Sequence, residues 1–126
     1  MQKEKIQQWI RGGLTPESVR EAEKFGKEIK EKDLTTSQIR QVFTKLKSIE
    51  AKGYAANKVE FLMLKPLLAY AAGRHKKDGL IEFKDKITCA IDAVTDGDDA
   101  GQEVRFKNFC KLFEAILAYH RSFGGN

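Results

Sequence analysis

The sequence predicts an all-α fold, a compact bundle of about five helices around a central proline-containing helix. Three observations support this class. Apolar residues recur at helical spacing along most of the chain, capping residues and glycines delimit these stretches, and no stretch shows the strict alternation that is typical of a strand. The length of 126 residues suits one domain with a substantial core. We therefore expect residues 1–126 to form a single helical domain.

Two helices are predicted in the N-terminal region. The first covers residues 3–11, and Trp9 is expected to be a packing anchor on its apolar side. The second begins at Thr15, because a capping hydroxyl followed by a proline and an acid is a typical helix start. It continues to about Lys32, with Lys and Glu at three- and four-residue spacing on its other faces. This pattern indicates a solvent-facing amphipathic helix.

The third helix is predicted to begin near Thr35, where Thr35 and Gln38 fit a capping box. An unbroken apolar stripe follows, made of Ile39, Val42, Phe43, Leu46 and Ile49. Basic residues lie on the flanks of this stripe. Gly53 is expected to end the helix.

The segment from Asn57 to Lys77 is the predicted central helix. Asn57 and Glu60 fit a second capping box. Beyond it, the segment is apolar on two faces, one with Val59, Leu62, Met63, Leu67, Tyr70 and Ala71 and the other with Phe61, Leu64, Leu68 and Ala72. A helix that is apolar on most sides is normally surrounded by other elements. Pro66 lacks a backbone donor, so we expect a kink between Leu62 and Pro66.

Two more helices are predicted after a turn at residues 77–79. The first carries the apolar stripe Leu80, Phe83, Ile87, Ile91 and Val94. The second runs from about Asp99 to Ser122, and its stripe is Val104, Phe106, Phe109, Cys110, Phe113, Ile116, Leu117 and His120. The acidic loop between them partly resembles a calcium-binding loop, but Ala100 and Lys107 occupy two positions where that pattern requires oxygen ligands. We therefore expect an ordinary acidic loop that caps a helix.

The positive charge is concentrated in the middle of the chain. Residues 35–79 carry nine basic and three acidic groups, whereas residues 80–104 carry two basic and seven acidic groups. Such a distribution favours a polyanion-binding surface beside a segment that could meet a basic partner. Lys65 and Pro66 interrupt the longest apolar run, and the N-terminus lacks the apolar run of a signal peptide. We expect no membrane association and a cytosolic location.

The sequence contains no motif of a known catalytic constellation, so we expect no enzymatic activity, no cofactor and no metal site. Cys89 and Cys110 are expected to be buried thiols rather than ligands or a disulfide. His75 and His120, each with basic neighbours, leave one alternative open. They could serve as the acid and the base of a metal-independent ribonuclease.

Basic residues on three helices are the candidate contacts to nucleic acid, because lysine and arginine bind phosphates without sequence preference. The candidates are Arg40, Lys45, Lys47, Lys65, Arg74, Lys76, Lys77, Lys111 and Arg121. Arg105 and Lys107 belong to the same basic set on the last helix. Two alternatives remain open. One is a helix-turn-helix-like DNA-binding regulator that uses residues 35–52 for recognition, and the other is a helical protein-interaction adaptor that uses the acidic segment 80–104.

Four segments together resemble the small helical subunit of type III-A CRISPR effector complexes, the Csm complexes. They are LTTSQIRQVFTKLKSIE at 34–50, FLMLKPLLAYAAGR at 61–74, GLIEFKDKITCAIDAV at 79–94 and FKNFCKLFEAILAYHRSFGG at 106–125. The similarity covers residues 33–125, and residues 1–32 correspond to a part that varies in this family. By position in these segments, the resemblance assigns nucleic-acid contacts to Arg40, Lys65, Arg74 and Arg121.

The resemblance implies a non-catalytic RNA-binding scaffold for antiviral defence in the cytoplasm of a prokaryote. Several copies of such a subunit stack as a filament and line the groove that holds the guide RNA and its target RNA. Its other partners are the backbone subunits, which cleave target RNA, and the large signature subunit, and self-association as a dimer or filament is expected. Because base pairing supplies the specificity, the lining subunit is expected to contact the RNA backbone.

Overall fold

The computed structural model describes residues 1–124, and this part of the chain contains α-helices and no strand, which confirms the all-α prediction. Residues 125 and 126, the end of the predicted domain and of its family-like core, lie outside the described residues. The helices are α1 (Lys3–Gly12), α2 (Pro16–Glu31), α3 (Thr36–Lys52), α4 (Lys58–Leu62), α5 (Leu64–His75), α6 (Asp78–Thr95) and α7 (Gln102–Ser122). A short 3₁₀ helix, Asp99–Gly101, precedes α7.

One of the two predicted capping boxes forms, at Thr35, and the predicted helix start at Thr15 is capped in the same way. The Thr15 side chain accepts a hydrogen bond from the Ser18 backbone N–H, and the Ser18 hydroxyl oxygen accepts one from the Thr15 backbone N–H. Thr35 and Gln38 make the same reciprocal pair at the start of α3. The box expected at Asn57 was wrong, because the Asn57 amide instead donates to the carbonyl of Gly53 at 2.8 Å. That bond ties the start of α4 to the end of α3.

The hydrophobic core is built around α7, which packs against α1, α2, α3 and α6. Phe109, Phe113 and Ile116 of α7 are each about 1% exposed. Helices α2 and α7 cross closely. A Cβ added to Gly26 of α2 would lie 2.9 Å from the backbone nitrogen of His120, so only glycine allows this approach.

The central position expected for the Pro66 helix is not confirmed. The predicted helix is broken at Met63, within the expected kink region, into α4 and α5. The described residues therefore hold seven α-helices, or six rods when α4 and α5 are counted together, rather than about five. One apolar face of the broken rod is buried, with Phe61, Leu64, Leu68 and Ala72. The other face is largely exposed, at Val59, Leu62, Met63 and Tyr70.

Local details differ from the expectations at two further places. Gly79, expected in a turn, lies in the first turn of α6, where an added Cβ would approach the Lys32 carbonyl oxygen to 2.7 Å. Val104, assigned to the apolar stripe of the last helix, is 60% exposed. Within residues 1–124, no helix combines the length and apolar character that a membrane span needs.

Candidate nucleic-acid interface

Among the predicted contacts on α3, two are free and one is paired. Arg40 and Lys45 are exposed, and neither makes an ion pair with a described residue. Lys47 is instead held between two carboxylates, at 3.0 Å from Glu114 and 3.1 Å from Glu50. The hydrogen bond that Lys47 donates to Glu114, followed by the one that it donates to Glu50, raises the pKa of Lys47. A phosphate at Lys47 would therefore compete with partners that are already in place.

The basic residues of α5 and its C-terminal end divide in the same way. The ammonium of Lys65 lies 2.6 Å from the carboxylate of Asp92 on α6. Arg74, Lys76 and Lys77 are exposed, and the described part of the chain offers them no ion pair. The sequence predicted all four as contacts, Lys65 and Arg74 by the resemblance and Lys76 and Lys77 by charge, but the structure leaves only the last three available without breaking an ion pair with a described residue.

The C-terminal end of α5 lies beside the junction of α2 and α3. Lys77 lines a polar depression of about 490 Å³ together with Lys30, Thr35 and Gly124. Lys76 ends the helix with a left-handed backbone, at φ 53° and ψ 34°. Lys30 is a candidate that the sequence did not reveal, since the charge of residues 1–34 is nearly balanced and only the fold brings Lys30 to Lys77.

The predicted contacts of α3 and α5 that are free of ion pairs with described residues come from two neighbouring rods. A five-residue connection, 53–57, joins α3 to α4, and α3 packs against both α4 and α5, so the two rods run in opposite directions. Lys45 lines the same groove as Tyr70 of α5, and Lys77 lies near the N-cap of α3. Lys45 lies on the flank of α3 that faces α5, whereas Arg40 lies on the other flank, which it shares with Lys47. We call this set of five cations the basic patch, and it consists of Arg40, Lys45, Arg74, Lys76 and Lys77.

The two candidate RNA contacts on α7 lie far apart along the helix. Lys111 and Arg121 are both exposed, ten residues apart on this helix, which is about 15 Å along its axis. Arg105, which the sequence placed in the basic set, is buried at 9% exposure. Its guanidinium donates to the backbone carbonyls of Val94 and Asp98, so it has a structural role.

The acidic loop before α7 is organised by this arginine. The Asp98 carboxylate accepts a hydrogen bond from the Gly101 backbone N–H, and it also lies 3.7 Å from Arg105. Asp99 accepts a hydrogen bond from the Gln102 amide. The carboxylate oxygens of this loop therefore contact the Arg105 guanidinium and cap the helix start, which confirms the expectation of a capping loop. Within residues 1–124, no three His, Cys, Asp or Glu side chains form a group that could hold a metal ion.

The residues proposed for a ribonuclease alternative differ sharply in exposure. His75 is exposed at the end of α5, whereas His120 is fully buried. Nε2 of His120 donates to the Leu34 carbonyl, and burial lowers the pKa of His120. A buried imidazole whose one donor is already used cannot reach an RNA ribose, so the geometry does not favour this alternative.

The cysteines lie in apolar surroundings, as expected. Cys110 is buried, and its burial raises the pKa of the thiol to about 12. Cys89 is half-buried, and burial raises its pKa as well. Thiols with raised pKa values are poor nucleophiles, and the expectation of inert packing residues is confirmed for Cys110.

A family model described as Csm2 Type III-A matches residues 15–126. The match therefore begins at the cap of α2 and includes every helix that carries the basic patch. Comparison with curated proteins and comparison with solved structures gave no match.

Proposed function

The chain belongs to the Csm2 Type III-A family and is accordingly a subunit of a type III-A CRISPR complex, and we propose that it acts there as a non-catalytic RNA-binding scaffold. The observation that supports this role most directly is the basic patch. Five cations from α3 and from the end of α5 are exposed and make no ion pair with described residues. Such a set of cations suits the phosphates of a bound RNA.

Recognition of the backbone, rather than of bases, fits the proposed place beside a guide–target duplex. An A-form duplex hides its major-groove edges, so side chains meet phosphates and 2′-hydroxyls instead. Cations on long side chains follow a backbone of any sequence and supply affinity and position. Pairing between guide RNA and target RNA then supplies the specificity.

The remaining predicted contacts rank below the basic patch. Lys47 and Lys65 would have to leave carboxylates that now hold them at 2.6–3.1 Å. Lys111 and Arg121 are exposed but lie on α7, at separate positions. We propose that these four residues contribute less to RNA binding than Arg40 and Arg74.

The proposal includes the partners that the family resemblance implies. These are the guide RNA, the target RNA, the backbone subunit, the large signature subunit and further copies of this chain, all in the cytoplasm of a prokaryote engaged in antiviral defence. Catalysis is assigned to the other subunits. The burial of His120 supports that division, because it removes one member of the acid–base pair considered above.

A charge-reversal titration tests the RNA contact. Arg40→Glu combined with Arg74→Glu is expected to weaken binding of a guide–target duplex at least tenfold, because phosphate contacts are replaced by repulsion. The matched control is Lys3→Glu with Lys24→Glu, which makes the same change in net charge at exposed positions outside the patch. Equal affinities of the two folded double variants would contradict the proposed interface. Selection of one duplex DNA sequence by the wild-type chain would instead favour the regulator.

A further inference from the structure

An apolar groove separates α3 from the α4–α5 rod. It has a volume of about 510 Å³ and lies next to the basic patch. Ile49, Met63, Pro66 and Leu67 supply apolar walls, and Lys45, Ser48, Glu60 and Tyr70 complete the lining. The volume falls in the range of pockets that hold small organic ligands.

The two ends of the groove differ in charge. Because α3 and the α4–α5 rod run in opposite directions, Lys45 and Tyr70 lie towards one end and Glu60 lies towards the other. Arg74 follows Tyr70 by one helical turn and therefore lies on the same face of α5. The Tyr70 end thus combines two cations that have no ion pair with described residues and an exposed aromatic ring. At the other end, the Glu60 carboxylate faces a single exposed cation, Lys52, one helical turn beyond Ser48.

Tyr70 is exposed to an extent that core packing does not explain. It is 67% exposed, and the neighbouring Met63 is 59% exposed. A flat aromatic surface with cations beside it is the combination that proteins use to bind unpaired nucleotides. The base stacks on the ring, and the cations hold the phosphates next to that base.

We propose that this groove binds an unpaired RNA base, stacked on Tyr70, with the adjoining phosphate held by Lys45 and Arg74. The inference rests on the proposed RNA-binding function and extends it from the backbone to a base. The charge pattern supports RNA over a protein segment as the occupant. An apolar protein anchor would use the groove walls but would leave both cations without a partner.

The two methionines of the chain offer a site-specific test. Met63 lines the groove, whereas Met1 packs against the core elsewhere. In the full chain with ¹³C-labelled methionine methyls, single-stranded oligoadenylate is expected to move the Met63 signal through the ring current of the base, and to leave Met1 unchanged. An abasic ribose-phosphate oligomer of the same length keeps the phosphates and lacks the bases. It is expected to leave Met63 in place.

Variants at Tyr70 measure the stacking contribution. Tyr70→Ala is expected to weaken oligoadenylate binding roughly five- to 150-fold, the range that alanine substitution of a base-stacking aromatic gives. Tyr70→Phe keeps the ring and is expected to bind as the wild type does. Val59→Ala is the matched control, since Val59 is equally exposed at 67% and does not line the groove.

The outcomes separate this inference from the function on which it rests. If Arg40→Glu with Arg74→Glu weakens binding while Met63 responds equally to abasic and normal RNA, the phosphate interface stands and the base site is rejected. If neither the oligoadenylate nor the guide–target duplex binds, both proposals fail. If RNA leaves Met63 unmoved and a purified protein subunit of the complex moves it, the groove is a protein-docking surface and the base site is overturned.

Discussion

At the scale of single residues, His120 has an environment that makes its protonation costly. Its Nε2 donates to the Leu34 carbonyl, so Nδ1 is the unprotonated nitrogen, and no described group hydrogen-bonds to it. Protonation would place a new N–H and a positive charge in the core. Burial is accordingly the largest cause of the lowered pKa of His120, and the backbone hydrogen bond opposes it only in part.

This environment predicts a loss of stability in mild acid. Because the folded-state pKa of His120 is lowered, the unfolded chain binds the proton first. The stabilisation is complete above the unfolded value of about 6.5 and declines as the pH falls below it. Between about pH 7.5 and about pH 5.5, His120→Gln is expected to lose less free energy of unfolding than the wild type, as measured by urea titration. The exposed His75→Gln is the control and should keep the wild-type pH dependence.

Two glycines provide a matched test of helix packing. Gly26→Ala is expected to lower the free energy of unfolding by about 1–3 kcal/mol, because the added Cβ meets backbone atoms of α7 that cannot move independently. Gly73→Ala adds the same methyl to an exposed position of α5, where no described atom outside its own helix lies within 4 Å. It is expected to raise stability by about 0.5–1 kcal/mol. Equal effects of both substitutions in urea unfolding would refute the close crossing of α2 and α7.

Whether a basic residue is free or paired could not be predicted from the sequence. Lys47 is paired with Glu114, 67 positions away along the chain, and Lys65 with Asp92, 27 positions away. Helical periodicity assigns a charge to a flank, but it does not reveal which neighbouring helix faces that flank. The conclusion that Arg40 and Arg74 make no ion pair with described residues therefore required the fold.

At the scale of the elements, local signals predicted the helices well. The caps at Thr15 and Thr35 and the stop at Gly53 depend only on residues within a few positions, and all three form as predicted. The Asn57 cap does not form, and the Asn57 side-chain amide instead donates to the Gly53 carbonyl, a contact that the capping pattern alone does not reveal. The place of the Pro66 rod was missed for a different reason. A helical wheel identifies two apolar faces but cannot tell which one the rest of the chain covers.

A substitution of Lys76 at the end of α5 is expected to change stability and RNA binding in opposite directions. Lys76 adopts a left-handed conformation that glycine tolerates better. Lys76→Gly is expected to raise the free energy of unfolding by about 1 kcal/mol, because the Cβ clash of that conformation disappears. The same variant should bind guide–target RNA more weakly than the wild type, since one cation of the basic patch is removed. Lower stability in a thermal melt would contradict the strain, and unchanged affinity would remove Lys76 from the interface.

At the scale of the whole molecule, most acidic residues of the segment 80–104 form ion pairs within the chain. Each of five acidic residues lies within 4.0 Å of a basic group from outside the segment: Glu82 of Lys32, Asp92 of Lys65, Asp96 of Arg11, Asp98 of Arg105 and Asp99 of Lys58. Such exposed pairs add little stability, but they leave less free negative charge for a basic partner. The basic patch keeps its charge, so the balance favours a polyanion.

The most direct test of the RNA-backbone role is the salt dependence of binding by the wild-type chain. The measurement is the association constant for two guide–target duplexes of unrelated sequence over a series of salt concentrations. We predict that both plots of log K against log salt are linear, with the same negative slope, and that Arg40→Glu with Arg74→Glu reduces its magnitude by about two. A slope near zero, or a clear preference for one of the two sequences, would contradict the account.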